Sequence, residues 1–408
     1  MQEQLAQQLA ARGVKVVSPQ SVSINPDVDL EKIEGPGTVL YPGASLRGSK
    51  LRIMPGCHIG PEGPVVVNDC VLGPEVTLSA GYFAGSVFLD KASMGLGAHI
   101  RPGCLLEEEA NGAHTVGLKQ TILLPFVTLG SLINFCDILM AGGTSRRDHS
   151  EVGSSFIHFN FTPQGARGDK ATPSLIGDIP RGVMLRSSRI FLGGQAGIVG
   201  PVSMDYGTVL AAGFVYRQDH GPDELVVGEP LTPAVLAFNP TRLTRMKARV
   251  ERNLRYLGNI IALWHWYEQV RLPLAKGNEA RSVLYSAAQK IVDSVVKERV
   301  KQLARLVGYF EASIVELEKQ GEKRAREIRD QRALLTAWPQ IEADLAAYGE
   351  LRGDETQLAS LHKGLDASEA EDYITTIQAL SDPAVAAGSS WMDGLVNHTL
   401  AALTRHMP

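Results

Sequence analysis

The chain has 408 residues, a formal net charge of −4, and contents of 44% hydrophobic and 21% charged residues. This balance is typical of a soluble globular protein with two or three domains, and it provides no general attraction to nucleic acid or to an anionic membrane. No apolar run approaches the ~18 residues of a membrane span, and the polar N-terminus lacks a secretory-signal pattern. We therefore expect a cytoplasmic protein with no nucleic-acid or membrane partner. Its four cysteines, which form no CxxC pair, are interpreted as buried thiols.

Residues 1–38 are predicted to form a short helix and an extended lead-in, since prolines 19, 26 and 36 disfavour long helices. From 39 to 230 the chain is rich in Gly, Val, Ile and Leu. Within 190–219, every sixth residue is large and apolar. These residues are Leu192, Ile198, Met204, Leu210 and Tyr216.

A period of six residues is typical of a parallel β-helix, in which each hexad is a short strand followed by a bend. Three hexads make one coil, so Leu192 should stack on Leu210 and Ile198 on Tyr216. The hexads do not keep one frame, which indicates insertions at the corners. Three polar stretches, 107–119, 141–150 and 162–174, are predicted to be such solvated loops.

Residues 240–408 are predicted to form an all-α domain, because glycine becomes scarce and apolar residues recur at helical spacing. The two long helical patterns cover 241–272, capped by Thr241, and 279–337, and Pro339 is expected to interrupt the helical pattern after them. The aromatic residues at 264–267 are interpreted as helix-bundle core. The basic residues at 242–255 are interpreted as a solvated face, with contact to phosphate or to an acidic partner as the alternative.

The ordered motifs HFNF (158–161), LIGD (175–178) and IFLGGQAGIVGPVSMDYGTVLAAGFVYRQD (190–219) resemble the left-handed β-helix acyltransferases. They are most similar to the acetyltransferase domain of the bifunctional N-acetylglucosamine-1-phosphate uridyltransferase/glucosamine-1-phosphate acetyltransferases. The resemblance implies a left-handed parallel β-helix, a homotrimer, and acyl-CoA (acetyl-CoA) lying along a groove between coils. Residues 1–38 contain no counterpart of that family's phosphate-cradling nucleotidyltransferase loop, so uridyl transfer is not expected.

The same resemblance implies roles for individual positions. The family's catalytic histidine corresponds to Asn134, which cannot take a proton at neutral pH. The family's motif asparagine is retained as Asn160, whereas Phe161 and Thr162 replace its motif tyrosine and aspartate. Gly194 replaces a serine that contacts acetyl-CoA. Ala211 and Ala212 match the small residues against which the cofactor lies.

Acyl transfer to an amine requires a base near pH 7 and donors for the thioester oxyanion. With Asn134 at the family position, His149 and His158 are the candidate relocated bases. The candidate phosphate-binding residues are Arg146, Arg147, Arg167 and Lys170. The alternative is a satisfied histidine and a solvated basic loop. A metal site formed by Asp148, His149 and His158 is possible, but no tight ligand spacing supports it, and we expect no metal.

Two functions therefore stay open from the sequence. The first is an acyl-CoA-dependent acyltransferase-like protein that acts on or binds a sugar phosphate or nucleotide sugar. The second is a non-catalytic hexapeptide-repeat binding or scaffold protein that has lost the catalytic histidine.

Overall fold

The structure, a computed structural model, describes residues 2–228, 231–367 and 372–407. It is a parallel β-solenoid of about 11 turns followed by a helical region, as predicted. Each regular turn contributes one strand to each of three parallel faces, named face 1, face 2 and face 3 in chain order. The bends between them are the 1/2, 2/3 and 3/1 corners. The first strand, Lys15–Val16, pairs with Val39–Leu40. The solenoid therefore starts inside 1–38, earlier than expected; residues 229 and 230 of its expected end lie outside the described residues.

The strands are two to seven residues long, and their order in each face follows the chain. Face 1 contains Lys15–Val16, Val39–Leu40, His58–Ile59, Thr77–Leu78, Ser93–Met94, Asn111–Gly112, Thr128–Leu129, Glu151–Val152, Phe191–Leu192, Val209–Leu210 and Leu225–Val226. Face 2 contains Ser23–Ile24, Ala44–Arg47, Val65–Asn68, Gly81–Ala84, Ala98–Ile100, Phe156–Phe159, Ala196–Val199 and Val215–Tyr216. Face 3 contains Arg52–Ile53, Val71–Leu72, Val87–Phe88, Leu105–Leu106, Ser174–Ile176 and Ser203–Met204. Two longer strands, Gly117–Leu123 and Asn134–Met140, run through faces 2 and 3 and bend at Gln120 and Asp137, whose φ angles are positive.

The interior of the solenoid is a set of stacked apolar columns. Leu192 lies in register with Leu210, and Ile198 with Tyr216, and all four side chains are buried. The predicted stacking is thus confirmed. Because one coil cannot bury its own interior face, this continuous column is what stabilises the fold.

Two of the three predicted insertions leave the regular coil, and one does not. The stretch 141–150 forms a hairpin of Gly143–Ser145 and Asp148–His149 at a 3/1 corner. The loop 160–173 emerges at a 2/3 corner. The prediction for 107–119 was wrong, because this stretch contains the face 1 strand Asn111–Gly112, and Glu107 and Glu108 are buried. Because the two glutamates are charged, they were expected to be exposed to solvent, but helices cover them.

The helices are α1 (Gln2–Ala11), α2 (Ile179–Gly182), α3 (Met246–Trp266), α4 (Leu272–Leu274), α5 (Glu279–Val307), α6 (Phe310–Glu318), α7 (Ala325–Ala346), α8 (Glu355–Asp366), α9 (Tyr373–Gln378), α10 (Asp382–Leu400) and α11 (Ala402–His406). A π-helical turn, Tyr267–Arg271, joins α3 to α4. Short 3₁₀ turns are Pro19–Ser21, Leu30–Lys32, Gly321–Arg324 and Tyr348–Glu350.

Three details of the helix prediction need correction. The first long helix begins at Met246 and not at Thr241, and its preceding residue Arg245 has a positive φ. The predicted helix 279–337 is divided into α5, α6 and α7, because the chain turns after Val307 and after Glu318. Pro339 lies inside α7 and does not end it.

The helical region packs on face 3 because the outward side of that face is apolar. Its outward residues Val87, Leu105 and Leu175 are buried, and the solenoid and helix cores form one continuous cluster. Buried rows on both sides of a sheet are typical of strands covered by helices. The corresponding outward residues of face 1, such as Thr77 and Ser93, remain partly exposed.

The side chains of α3 show how the helices are fixed to the solenoid. Arg249 and Arg252 form ion pairs with Asp169 and Asp219, so these two members of the predicted solvated face contact solenoid carboxylates instead. Arg245, Lys247 and Arg255 of the same basic stretch are exposed, as predicted. His265, Trp266 and Tyr267 are buried, which confirms the prediction of an aromatic core at 264–267.

All four cysteines are free and buried. Burial raises the pKa of Cys57, Cys70 and Cys104 to about 12. They therefore behave as small apolar residues, as predicted. Each helix within the described ranges is too short or too polar to cross a membrane.

Candidate functional site

Face 2 carries the position that corresponds to the catalytic histidine of the acyltransferases. Asn134 points outward from this face and is exposed. In the outward row it lies between Gly117 and Ile157. Since Gly117 has no side chain, the surface beside Asn134 is open on that side.

Cys136 lies two residues beyond Asn134 on the same strand, and cationic side chains from three other segments act on its thiol. Arg101 donates from Nη2 to the Cys136 Sγ at 3.2 Å, and Lys119 lies in register with Cys136 on the neighbouring coil. Burial raises the pKa of the Cys136 thiol, the charge of Asp137 adds to that rise, and the charges of Arg101, Lys119 and Lys170 oppose it. We call Arg101, Lys119 and Lys170 the cation cluster.

The cation cluster has no carboxylate partner. All three residues are half-buried, and none forms an ion pair with any residue in the described ranges. Partly desolvated cations that form no direct ion pair with a carboxylate are suited to bind a phosphate group. Face 2 thus carries a candidate anion site directly beside Asn134.

The 2/3 corner next to this cluster is held by a hydrogen-bonded network. Asn160 donates from Nδ2 to Asp137 Oδ2 at 2.7 Å. Asp137 is 2% exposed and pairs through Oδ1 with Arg299 of α5 at 2.9 Å. The retained asparagine is therefore positioned, but its amide is already used within the chain.

His158 occupies an interior column and not the surface. Its ring is 2% exposed and lies in register with Ile198. Nδ1 donates to the carbonyl oxygen of Cys136, and Nε2 accepts from the Ser174 hydroxyl at 2.8 Å. Burial lowers the pKa of His158 to about 4. Since both ring nitrogens are engaged inside the solenoid, the structure does not support His158 as a base for an external substrate.

His149 and its neighbouring arginines lie at a different corner. His149 donates from Nδ1 to the carbonyl oxygen of Arg146 at 2.9 Å, which leaves Nε2 as the basic nitrogen, 4.0 Å from Glu151. Arg146 donates to the carbonyl oxygen of Phe126 at 2.7 Å and so fastens the hairpin to a 3/1 corner. Arg147 is exposed.

The predicted cofactor-contacting residues lie together on the 1/2 corner of the last coils. Gly194 follows the face 1 strand Phe191–Leu192, and Ala211 and Ala212 follow Val209–Leu210, one coil further. Ala212 is exposed, and Gly194 and Ala211 are partly exposed. A Cβ on Gly194 would lie 2.6 Å from the Ser154 carbonyl oxygen, so only glycine fits this bend.

The structure thus divides the predicted site residues into groups. Asn134, Asn160, Lys170 and the exposed Arg167 lie on face 2 or its 2/3 corner, and the 1/2 corner borders the same face. His149, Arg146 and Arg147 lie at a 3/1 corner, and His158 is internal. The proposed convergence of Asp148, His149 and His158 on a metal is therefore wrong, and no other metal-ligand group occurs in the described residues.

Sequence reasoning missed Arg101 and Lys119. Arg101 precedes a Pro-Gly turn, and Lys119 lay in the stretch that was interpreted as a solvated loop. A usable signal was their common position in the hexad frame, since both directly follow an inward residue, Ile100 and Leu118. Side chains that share a frame position stack about 4.8 Å apart on neighbouring coils.

A polar cavity of about 480 Å³ lies elsewhere, between face 3 and α10. Its lining includes Arg181, which pairs with both Asp178 and Asp205. The fixed charges of this cavity are thus largely neutralised within the chain, in contrast to the cation cluster.

The chain is similar in sequence to proteins named bifunctional protein GlmU. The identity is 28% over 229 residues with that of Trichlorobacter lovleyi, which is 56% of this chain and 43% of the relative. For Thermotoga maritima it is 27% over 222 residues, 54% and 44% of the two chains. For Thermus thermophilus it is 33% over 151 residues, 37% and 30% of the two chains. No protein-family model matches the chain.

The matched portion, about 55% of the chain, corresponds to the acetyltransferase region of those proteins. In sequence and in fold, the solenoid resembles the left-handed β-helix acyltransferases. The chain spans less than half the length of these curated relatives.

Proposed function

We propose that this chain is an acyl-CoA-dependent acyltransferase, active as a homotrimer, whose acceptor is the amine of a sugar phosphate or nucleotide sugar. The observation that carries the proposal is the cation cluster without carboxylate partners beside Asn134, on a solenoid similar to the acetyltransferase region of GlmU proteins. The acceptor phosphate binds Arg101, Lys119 and Lys170. Acyl-CoA lies along the 1/2 corner past Gly194, Ala211 and Ala212.

The base of the proposed reaction is not supplied by the position that corresponds to the family's catalytic histidine. Asn134 has no basic atom, and His158 is enclosed. His149 has a basic Nε2 but lies at a 3/1 corner, so it reaches a ligand on face 2 only from a neighbouring subunit. The mechanism therefore depends on the trimer.

Cofactor binding is tested by isothermal titration calorimetry with acetyl-CoA and with free CoA. Ala212→Trp should weaken binding by about tenfold or more, or about 1.4 kcal/mol, because the indole fills the 1/2 corner. Ala113→Trp is the matched control, since Ala113 is an exposed alanine on the same corner several coils earlier. Equal weakening by both variants, or no binding to the wild type, contradicts the proposed cofactor position.

Catalysis is tested by release of the CoA thiol with glucosamine 1-phosphate as acceptor. Asn134→His restores the family base and should raise the rate above that of the wild type if the remaining site is intact. His149→Gln should lower the wild-type rate if His149 of a neighbouring subunit is the base.

A second function, ligand binding without catalysis, is favoured by the loss of a base at position 134 and the burial of His158. In that case the protein binds the sugar phosphate or nucleotide sugar, and no CoA thiol is released with any acceptor. Asn134→His then becomes the variant that distinguishes a lost base from a lost cofactor site.

A further inference from the structure

We propose that Arg299 of α5 is a positioning residue of the anion site on face 2, so that the helical region is a structural part of this site. The inference rests on the proposed function, because it concerns the same phosphate-binding cluster. The helical region lies outside the stretch whose motifs resemble the acyltransferases, so no counterpart of this residue is implied by the resemblance.

One guanidinium group connects both segments that carry the anion site. Arg299 is 3% exposed. Its Nη2 lies 2.9 Å from Asp137 Oδ1, and its Nη1 donates to the Lys170 carbonyl oxygen at 3.1 Å. Asp137 directly follows Cys136, the centre of the cation cluster. Arg299 therefore fixes the solenoid corner and the loop that supplies Lys170 relative to each other.

The loop 160–173 depends on helices for its other fixed points as well. Arg249 of α3 pairs with Asp169 at 3.1 Å, and Asn253 donates to the Ala171 carbonyl oxygen at 3.1 Å. Within the loop, Thr162 and Asp169 form a single antiparallel bridge. Asp169 also accepts from the Thr162 hydroxyl and the Ala171 amide, but a loop of this length samples many positions relative to the solenoid unless it is tied down. The position of Lys170 is thus set by the docked helices.

The energetics favour a positioning role over a stabilising one. A buried ion pair repays its desolvation cost poorly and adds little net stability, although removing one partner is costly. Its main effect is on geometry, because the planar Arg299 guanidinium fixes the Asp137 carboxylate and the Lys170 carbonyl relative to each other. Phosphate binding needs such geometry, since a displacement of ~1 Å weakens a charge-assisted hydrogen bond severely.

Unused donors remain at this junction. The Nε of Arg299 and the hydroxyl of Tyr256 are buried and have no hydrogen-bond partner within the described part of the chain. Tyr256 lies close enough to Arg299 and Asp137 for both charges to act on its hydroxyl. Both atoms are enclosed, so they belong to the buried junction that holds the loop and not to the surface that a ligand on face 2 contacts.

The test compares the full-length wild type with Arg299→Met, Arg299→Lys and Arg281→Met. Arg281 is the matched control, because it also lies on α5 and pairs with the solenoid residue Asp90, but at a 3/1 corner. Calorimetry with glucosamine 1-phosphate should show a Kd increased by about 10- to 100-fold in Arg299→Met. Arg299→Lys should recover part of the affinity, and Arg281→Met should bind as the wild type does. The Kd for CoA should stay within about twofold in all variants.

Hydrogen exchange of the unliganded proteins separates this inference from the proposed function. The backbone amides of 162–173 should exchange faster in Arg299→Met than in Arg281→Met. The amides of the solenoid strands should exchange at the same rate in both variants. If the wild type does not bind the sugar phosphate but the loop still loosens, the proposed function fails, and only the positioning of the Lys170 loop by Arg299 stands. An unchanged Kd and unchanged loop exchange in Arg299→Met overturn the inference, even if its melting temperature falls.

Discussion

His158 and Asn134 show how the environment of a single side chain decides its chemistry. They lie on adjacent coils of face 2, but one points inward and the other outward. His158 is a polar member of an otherwise apolar column, satisfied by the Cys136 carbonyl and the Ser174 hydroxyl. A buried imidazole that is hydrogen-bonded at both nitrogens contributes to structural specificity and cannot exchange protons with a bound substrate.

The depressed pKa of His158 predicts a pH-dependent stability. The folded-state pKa is about 4, against an ordinary value of 6.5, so the unfolded chain binds the proton more readily. The neutral, buried His158 therefore contributes to the free energy of unfolding above pH 6.5. This contribution is lost as the pH falls towards 4, by about 3 kcal/mol in total. His158→Gln should lower the free energy of unfolding at pH 7.5 by about 1–3 kcal/mol and flatten its dependence between pH 6.5 and 4.

Urea unfolding at several pH values measures this effect, with the exposed His114→Gln as the control. The same pH slope in the His158 variant and in the wild type would show that the ring is not buried in the neutral form.

The element that ties the two regions together is the end of α3 with its π-helical turn. This turn places Arg271 in a fully buried position, where it pairs with Glu107 at 3.0 Å and with Glu108 at 2.5 Å. Tyr267 donates to Glu107 at 2.6 Å, and the Arg271 guanidinium lies over the Tyr373 ring. Burial raises the pKa of Glu107 to about 7, although Arg271 opposes the rise. The carboxylates of a solenoid corner thus need a cation from the helices.

Removal of the Arg271 cation should strongly destabilise the folded protein. Arg271→Met leaves two buried carboxylates without a counter-charge and should cost about 3–5 kcal/mol of unfolding free energy. The triple variant Glu107→Gln, Glu108→Gln, Arg271→Met should regain much of this loss, because no uncompensated charge remains. Chemical denaturation measures both.

Lys297→Met is the surface control, because Lys297 pairs with Asp293 at a mostly exposed position. This substitution should lower the free energy of unfolding by at most about 1 kcal/mol. If Arg271→Met lowers the free energy of unfolding as little as the control does, the stabilising role of the buried Arg271, Glu107 and Glu108 is contradicted.

At the scale of the whole molecule, the helices after residue 240 cover face 3, whereas within the described residues outward side chains of faces 1 and 2, such as Thr77 and Asn134, stay partly or fully exposed. Large apolar side chains are exposed along faces 1 and 2 of the last coils, including Phe159, Phe191 and Phe214. The segment 231–238 that leaves the solenoid adds Val235 and Leu236, which are 103% and 81% exposed. Apolar surface of this extent indicates a protein interface.

Leu236→Asp should therefore weaken the trimer. Burying an unpaired charge in an interface is strongly unfavourable, so the variant should elute as a monomer at concentrations where the wild type is trimeric. Light scattering coupled to size-exclusion chromatography gives the mass. The control is Leu274→Asp, because Leu274 is a 40% exposed side chain on α4, the short helix that follows the buried Arg271. A monomeric wild type, or equal effects of both variants, contradicts this interface.

The sequence by itself determined the solenoid, its inward columns, and the division into a β and a helical region. These features are periodic, and burial of every sixth side chain follows from the period alone. The resemblance to the acyltransferases also predicts Asn134, Asn160, Gly194, Ala211 and Ala212 as site residues, and their roles stay predictions. The sequence did not predict the burial of Glu107 and Glu108, since that depends on helices that come much later in the chain.

Only the tertiary structure decided which residues meet. The cation cluster joins Arg101, Lys119 and Lys170 because coil register and a clamped loop bring distant segments to one corner. The inward direction of His158 depends on strand register, in which a shift of one residue exchanges the two sides. The contact of Arg299 with Asp137 depends on an apolar outward row that draws α5 onto face 3. Register and packing between distant segments are physical properties of the folded chain, and no local pattern encodes them.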